Sequence, residues 1–370
     1  MLNDKIVCVG IGQCGSNFVS ELEQVGFHAF YVNTSLEDLD LVDTPNSNKY
    51  HIKGTRGMAK DRNEALKCLL ENNNANNICY AINDEYAMTD IVFMFYSLSG
   101  GTGGGMGNLL AGTMSELFPN KIINVVAVLP KFSDDIGMLA NAIESLSQLK
   151  EIQKDGAINQ VHLLTNQSRE DIFSINDTFA TAFDGFVNFD ELDKMGNLDE
   201  EERERILTTH GMGVILDFSH EDFGNGLSEA IDTSIYSSWN KDPQLHGIIL
   251  NRRQNKEINK LLVKDVLGAP LFTHQSTWNE DTNILLSVGM GFNDNVIIQL
   301  KQSLQLLMDK KSKIEKECVN NDVMEDVTID ISSITSGLRP KTRPVNNNSR
   351  LSSRRRTVET MSSILDKYKK

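Results

Sequence analysis

The stretch best suited to chemistry is nearly bare backbone. Ser99-Gly100-Gly101-Thr102-Gly103-Gly104-Gly105 follows an apolar run and precedes a helix-forming segment, with six glycines between Gly100 and Gly107. Its N–H groups are free to point at an anion, and the following helix adds its positive end. A linker would not sit between a buried strand and a helix. A second glycine turn, Gly10-Ile11-Gly12-Gln13-Cys14-Gly15-Ser16-Asn17, follows the first apolar run. Gly10, Gly12 and Gly15 fit the G-x-G-x-x-G spacing of a dinucleotide-binding turn, a weak signal alone but stronger beside a second loop at the same sheet edge. No Gly-Lys-Ser/Thr follows either turn, so neither is a P-loop. The third candidate is acidic: Asn188-Phe189-Asp190-Glu191-Leu192-Asp193. Asp190 and Asp193, three apart at a helix start, share one face and can act together. By itself the pair reads first as an exposed acidic helix cap. Asp217 and Glu221 form a second acidic pair, four apart.

The elements that must position these residues alternate. Lys5–Gly10, His28–Val32, Ile91–Tyr96, Ile122–Leu129 and Val161–Leu164 read as strands. Ser16–Gln24, Gly107–Phe118 and Asp135–Leu149 read as the helices between them. Continuous apolar strands alternating with helices predict an α/β, Rossmann-like parallel sheet covered on both faces. Glu170–Val187 reads as one long apolar helix, suited to connecting two halves. Beyond it, helices over 200–209, 227–239 and 257–267 and strands over 213–218, 247–250, 269–274 and 284–288 predict a smaller α+β domain, closed by a long helix over 293–318. The expected division is a nucleotide-binding domain at 1–168, a connecting helix at 169–187, a second domain at 188–320, and a tail at 321–370.

Hydrophobic residues make up 40% of the 370 and charged residues 24%, ordinary for a soluble globular protein. The five cysteines (Cys8, Cys14, Cys68, Cys79, Cys318) include no C-x-x-C pair, which argues against a disulfide framework or zinc site and for reduced cytosolic thiols. No apolar run is long enough for a membrane span or signal sequence, so a soluble, cytoplasmic protein is expected. The tail from Leu338 to Lys370 carries ten Lys/Arg against two acids, a charge of +8 within a total of −15, leaving −23 for the rest. Two kinds of partner are implied. The tail's asparagines, serines and arginines predict disorder, while Val358, Met361, Ile364, Leu365 and Tyr368 share one helical face that a partner could order.

These motifs together resemble the tubulin/FtsZ superfamily. Ser99–Gly105 resembles its G-G-T-G signature, departing at Gly104, where the family usually has Ser, Ala or Thr. Gly12-Gln13-Cys14-Gly15 is similar to the first phosphate loop of tubulin. Val32-Asn33-Thr34-Ser35 resembles the V-N-T-D turn, with Ser35 replacing the Asp, a change that bears on any metal contact there. Tyr50–Lys60, containing Gly57, Met58 and Ala59, stands where the family's γ-phosphate loop lies and looks most like TubZ, the plasmid- and phage-borne branch.

The resemblance, which spans about residues 1–310, implies GTP/GDP and Mg²⁺ as ligands. Gly12, Gln13, Cys14, Asn17, Asn33, Gly57, Met58, Ala59, Ser99, Gly100, Gly101, Thr102, Gly103 and Gly104 would then surround the phosphates. Asn166 and Asn176 would read the base, and Asp134 or Asp135 would reach the ribose. Asn188, Asp190 and Asp193 would be the loop that enters the next subunit's site and orients the attacking water. The expected activity is an assembly-dependent GTPase forming head-to-tail cytomotive filaments for plasmid or phage DNA segregation. The basic tail Arg339–Lys370 would engage a DNA-bound adaptor, DNA itself or a neighbouring subunit. Cell division, a dinucleotide-binding metabolic enzyme and a non-hydrolysing scaffold are the alternatives. Against the metabolic enzyme, Asn33 stands where a ribose-binding acid belongs.

Overall fold

Ile6–Ile11 and Gln160–Thr165 expose no residue on either face, which only a sheet covered on both sides allows. The computed structural model describes residues 1–168, 171–191, 197–219, 222–253 and 259–321. In chain order these form β1 (Ile6–Ile11), α1 (Gly12–Gln24), β2 (His28–Asn33), α2 (Leu36–Asp40) and β3 (Lys49–His51). Then come α3 (Arg62–Leu70), α4 (Asn74–Glu85), β4 (Ile91–Ser97), α5 (Thr102–Leu117), β5 (Ile122–Leu129), α6 (Ile136–Lys154) and β6 (Gln160–Thr165). The rest holds α7 (Phe173–Val187), α8 (Glu200–Leu207), β7 (Gly211–Phe218), α9 (Phe223–Asp232), β8 (Leu245–Asn251), α10 (Lys260–Leu267), β9 (Phe272–Trp278), β10 (Asn283–Met290) and α11 (Asn295–Asn321).

One sheet of ten strands, in the order β3-β2-β1-β4-β5-β6-β7-β10-β8-β9, runs through the chain. It is parallel from β3 to β7, and β10 alone runs antiparallel to its neighbours β7 and β8. The expected α/β class is therefore observed, with the strand ends after β1, β2 and β4 on one edge. Residues Met1–Gln305 form one compact unit, and Leu306–Lys370 a second, described to Asn321. The tail, Asp193, Glu221 and the first part of the expected 257–267 helix lie outside the described residues.

The sheet is not uniformly knitted. β4 and β5 pair through seven residues, whereas β6 and β7 pair only through Gln160↔Gly211 and Val161↔Met212. Side-chain amides stitch this joint. Asn124 Nδ2 donates to Leu207 O (2.9 Å), Gln160 Nε2 to Ile206 O (3.1 Å) and Gln153 Nε2 to Gly211 O (2.8 Å).

Under the sheet, α1 and α7 pack their aromatic faces together. Phe18, Phe95, Phe179, Phe183 and Phe93 form a buried cluster, with Phe93 and Phe183 edge to face at 4.9 Å. His162 sits against it, bonded on both ring nitrogens, to Tyr236 Oη at 2.9 Å and Gln160 Oε1 at 2.7 Å. Burial pushes its pKa down to about 3, so it is a neutral core residue.

Three boundaries differ from the sequence expectation for tertiary reasons. The helix expected at 227–239 is α9, started at Phe223 by Asp222, which caps Asn225 N. It ends early because Ile235 O and Ser237 N pair with Thr165 and Leu163 of β6. β9 begins at Phe272 rather than 269 and extends to Trp278, since it pairs with all of β8. α5 begins at Thr102, not Gly107, with consequences for the site.

Candidate nucleotide site

Three loops converge at the carboxyl ends of β1, β2 and β4. After β1 the chain turns directly into α1 at Gly12 (φ 72°). α1 can lie on β4 because Gly15 has no Cβ; one would stand 2.0 Å from Phe95 O. After β4 the turn Ser99–Gly101 leads into α5, so the first amides of α1 and α5 open on the same space. After β2, Thr34 Oγ1 lies 2.8 Å from Thr102 Oγ1, tying the second strand end to the α5 turn. The loop Gly57–Lys60 forms the facing wall. The cleft so enclosed has a volume of about 380 Å³.

Of the residues expected at the phosphates, Gly12, Gln13, Cys14, Asn33, Gly57, Met58, Ala59, Ser99, Gly100, Gly101, Thr102 and Gly103 line this cleft. Gly104 does not. It lies inside α5, where a Cβ would come within 2.7 Å of Leu98 O, and its carbonyl accepts from Arg62 Nε (3.1 Å) and Ser145 Oγ (2.8 Å). The glycine run was expected as open backbone; from Gly103 onward it is a helix packed too tightly for side chains. Arg62 fixes that packing. It is 3% exposed, bonds Ser145 and Gln148 of α6, and pairs with Glu144 at 2.9 Å.

A second, smaller cavity of about 200 Å³ shares Gln13 and Cys14 with the first. It is lined by Asn166 and Asn176, the asparagines expected at the base, by Asn17, which was expected at the phosphates but lies here instead, and by Ile172 and Phe173. Phe173 is 60% exposed and Ile172 47%, so α7 presents an apolar rim over polar walls, a combination suited to a flat heterocycle. Burial pushes the Cys14 thiol up to about 12, which makes it wall rather than nucleophile.

Asp135 lines neither cavity. Its carboxylate caps α6 through Met138 N (2.8 Å) and accepts from Lys60 Nζ (2.9 Å), and both contacts hold it below the usual carboxylate range, the amide first. Asp134 accepts from Lys131 N instead. Motif reading missed Asp38, whose carboxylate lines the cleft and accepts from Asn33 Nδ2 at 3.3 Å, and gave no role to Lys60. Acidic residues near a strand end were the only signal available for the first.

The acidic loop sits elsewhere. Asn188 ends α7 and donates to Asp184 Oδ1 (2.7 Å), Phe189 is buried against Trp278 and Arg203, and Asp190 is exposed. Asn188, Asp190 and Asp217 all line one cavity of about 500 Å³, with Glu191, Glu280 and Asp281. The two acidic pairs singled out from sequence therefore meet, in the members described, at one place. Asp217 is raised to about 6 by burial, and its Oδ1 has no hydrogen-bond partner. The fifteen residues of α7 span about 22 Å at 1.5 Å per residue, from Phe173 at the asparagine cavity to Val187, next to Asn188.

Residues 5–172 match the profile described as the Tubulin/FtsZ family, GTPase domain. That segment is similar to a tubulin/FtsZ GTPase domain. The tubulin-like protein TubZ of Clostridium botulinum C phage is 28% identical over 333 residues, covering 89% of this chain and 90% of that protein. The structure of the tail-truncated phage c-st TubZ superposes with a TM-score of 0.76 at 27% identity, covering 84% of this chain and all of the other. The GTPγS-form protofilament of Bacillus thuringiensis serovar israelensis TubZ shares the fold, with a TM-score of 0.72 at 16% identity over 85% and 94% of the two chains.

The cleft and the asparagine cavity adjoin at Gln13 and Cys14, which line both. No helix among the described residues is long and apolar enough to cross a membrane.

Proposed function

We propose that this chain is a cytoplasmic GTPase that assembles head to tail and hydrolyses GTP between successive subunits. The guanine would lie in the asparagine cavity, between Asn17, Asn166, Asn176 and the rim of Phe173. Its phosphates would run past Gln13 and Cys14 onto the first amides of α1 and α5, closed over by Gly57–Lys60. The functional division proposed follows: residues 1–168 bind nucleotide, α7 connects, and the segment from Asn188 supplies the acids.

The distance along α7 carries the assembly. Asp190, with Asp193 beyond the described residues, follows the far end of α7, a helix about 22 Å long that starts at the base cavity, so its carboxylate acts on nucleotide only if another copy brings it there. A contact between two different surfaces of identical subunits does not close, and repeats as a filament. The filament of Bacillus thuringiensis TubZ in its GTPγS form supports this reading for the fold. The phage TubZ likeness supports segregation of plasmid or phage DNA as the use, with the basic tail reaching adaptor or DNA.

Mg²⁺ fits the donor set. Asp38 supplies a hard carboxylate oxygen at the cleft wall, where Ser35 supplies none, and such an ion needs only one or two carboxylates beside phosphate oxygens. Bound there, it offsets charge on the terminal phosphates. The chain's own groups hold the nucleotide and, from the next subunit, orient water.

A nucleotide screen with GTP, GDP, ATP and NAD, followed by pelleting with GTP, tests the reading. The expected result is guanine preference, polymer above a threshold concentration, and phosphate release that rises with polymer. A protein that prefers NAD, or hydrolyses GTP equally well below the threshold, would refute it.

A further inference from the structure

Asp190 sits between two residues that are held in place, and is itself exposed. Along Phe189, Asp190 and Glu191 the chain is buried, exposed and half-buried in turn. Phe189 packs on Trp278, and the buried Arg203 of α8 grips it twice. The guanidinium lies 5.6 Å from the centre of its ring, and Nη1 donates to its carbonyl. Just before it, Asn188 closes α7 by donating to Asp184 Oδ1.

Glu191 is held from the other side. Asn279 donates to it twice, from N to Oε1 at 2.9 Å and from Nδ2 to Oε2 at 3.0 Å. Arg252 Nη2 stands 3.5 Å from the same Oε2. Hydrogen bonds onto a carboxylate are about twice as strong as neutral ones. The ion pair is the weaker part, since Glu191 and Arg252 are 28% and 40% exposed. These donors follow the ends of β9 and β8, at a corner that is itself tied. Arg252 N donates to Trp278 O at 2.9 Å, and Trp278 Nε1 to Thr282 O at 2.7 Å. With both oxygens occupied inside its own subunit, Glu191 is an anchor rather than a reagent.

Orienting an attacking water demands a carboxylate placed to a fraction of an ångström, and a displacement of about 1 Å costs on the order of a hundredfold in rate. The grip on Phe189 fixes the chain before Asp190. The grip on Glu191 fixes it after.

We propose that Glu191 is a positioning residue for GTP hydrolysis: held by Asn279 and Arg252, it sets the orientation in which Asp190 enters the next subunit's site. This rests on the reading that Asp190 acts there. It makes the corner after β8 and β9 part of the hydrolytic apparatus, although neither Asn279 nor Arg252 lines the cleft or the asparagine cavity.

The test is phosphate release per pelleted subunit of the full chain at saturating GTP, with GDP binding and thermal unfolding measured for each variant. Glu191→Ala should bind GDP within about twofold of wild type and pellet normally, yet release phosphate roughly tenfold more slowly. Glu191→Gln should stay within about threefold of wild type. Its amide oxygen accepts from Asn279 N, and the Asn279 amide turns over to accept from the new Nε2. Asn279→Asp sets carboxylate against carboxylate and should be as slow as Glu191→Ala. Combined with Glu191→Gln it should recover, because the new amide donates to the new carboxylate. If Glu191→Ala fails to fold, that recovery still decides. A wild-type rate in Glu191→Ala, or no recovery in the double variant, overturns the proposal. A rate in Glu191→Gln as low as in Glu191→Ala makes the charge itself the agent and overturns it too, as does loss of polymer in a folded Glu191→Ala. Asp190→Ala separates the two readings. Undiminished release in Asp190→Ala removes the parent reading, whereas slow release there beside a normal rate in Glu191→Ala removes this one alone.

Discussion

Replacing Asp217 with asparagine should make the protein more stable as pH rises, although the substitution adds no contact. Asp217 is on β7, mostly buried, with its pKa raised to about 6 from 3.8 by desolvation and its Oδ1 unpartnered. A carboxyl with a folded pKa above its unfolded value contributes stability that is complete below about pH 3.8 and lost as pH rises through about 6. At pH 8 the folded protein carries an anion that costs about 3 kcal/mol relative to the unfolded chain, and about 2 after allowance for partial exposure. At pH 5 most folded molecules keep the proton, and the cost falls to about 1 kcal/mol. Asparagine has nearly the same shape and no charge. Its own packing cost is the same at both pH values and drops out of the difference. The His162 imidazole, held neutral by burial, makes both proteins less stable as pH falls below about 6.5 and likewise cancels. Urea unfolding of both proteins at pH 8 and pH 5 therefore measures one quantity. The advantage of Asp217→Asn should be about 1 kcal/mol larger at pH 8. An advantage that is equal at the two pH values, or larger at pH 5, would show that Asp217 is not desolvated as its cavity implies.

Three further outcomes follow from the site. Asp190→Ala should pellet with GTP as the wild type does but release phosphate at a small fraction of its rate, on the order of a hundredfold slower; undiminished release in a phosphate assay removes Asp190 from the reaction. Gly104→Ala should destabilise by about 1–3 kcal/mol in thermal unfolding, because its methyl meets Leu98 O at 2.7 Å. Arg62→Leu should cost about 2–4 kcal/mol by uncoupling α3 from Gly104 and α6, and GDP binding should weaken along with stability. A stable variant with weakened binding would mean that Arg62 acts on the site without supporting the fold.

Strands were legible in the sequence because both their faces are buried. Ile91–Tyr96 writes that burial as an unbroken apolar run, and Ile122–Leu129 as one interrupted only by Asn124, patterns that need no knowledge of neighbours. The glycine turns were legible for a similar local reason, since few other contexts tolerate them. The start of α5 was not. Gly103, Gly104, Gly105 and Gly107 have poor helix propensity, and they suit this helix because β4 and α3 press too closely there for a Cβ. The end of α9 was hidden likewise, in a pairing of Leu164 with Tyr236 that no local pattern announces. At the site, Asp38, Lys60 and Phe173 escaped notice because each acquires meaning only where separate loops meet. Asp217 appeared a rival to Asp190 along the chain, and only the folded sheet puts both carboxylates at one cavity.

The join between β6 and β7 has a consequence for how this molecule can vary. Most strand pairs in a sheet are held by main-chain groups, which no point substitution except one to proline removes. Here two register pairs are supplemented by Asn124, Gln153 and Gln160, whose amides are a matter of sequence. Coupling between the strands that border the cleft and those beyond can thus be loosened or tightened by one codon change, while both flanking stretches of sheet keep their own ladders. Evolution, or an engineer, has a dial there rather than a weld.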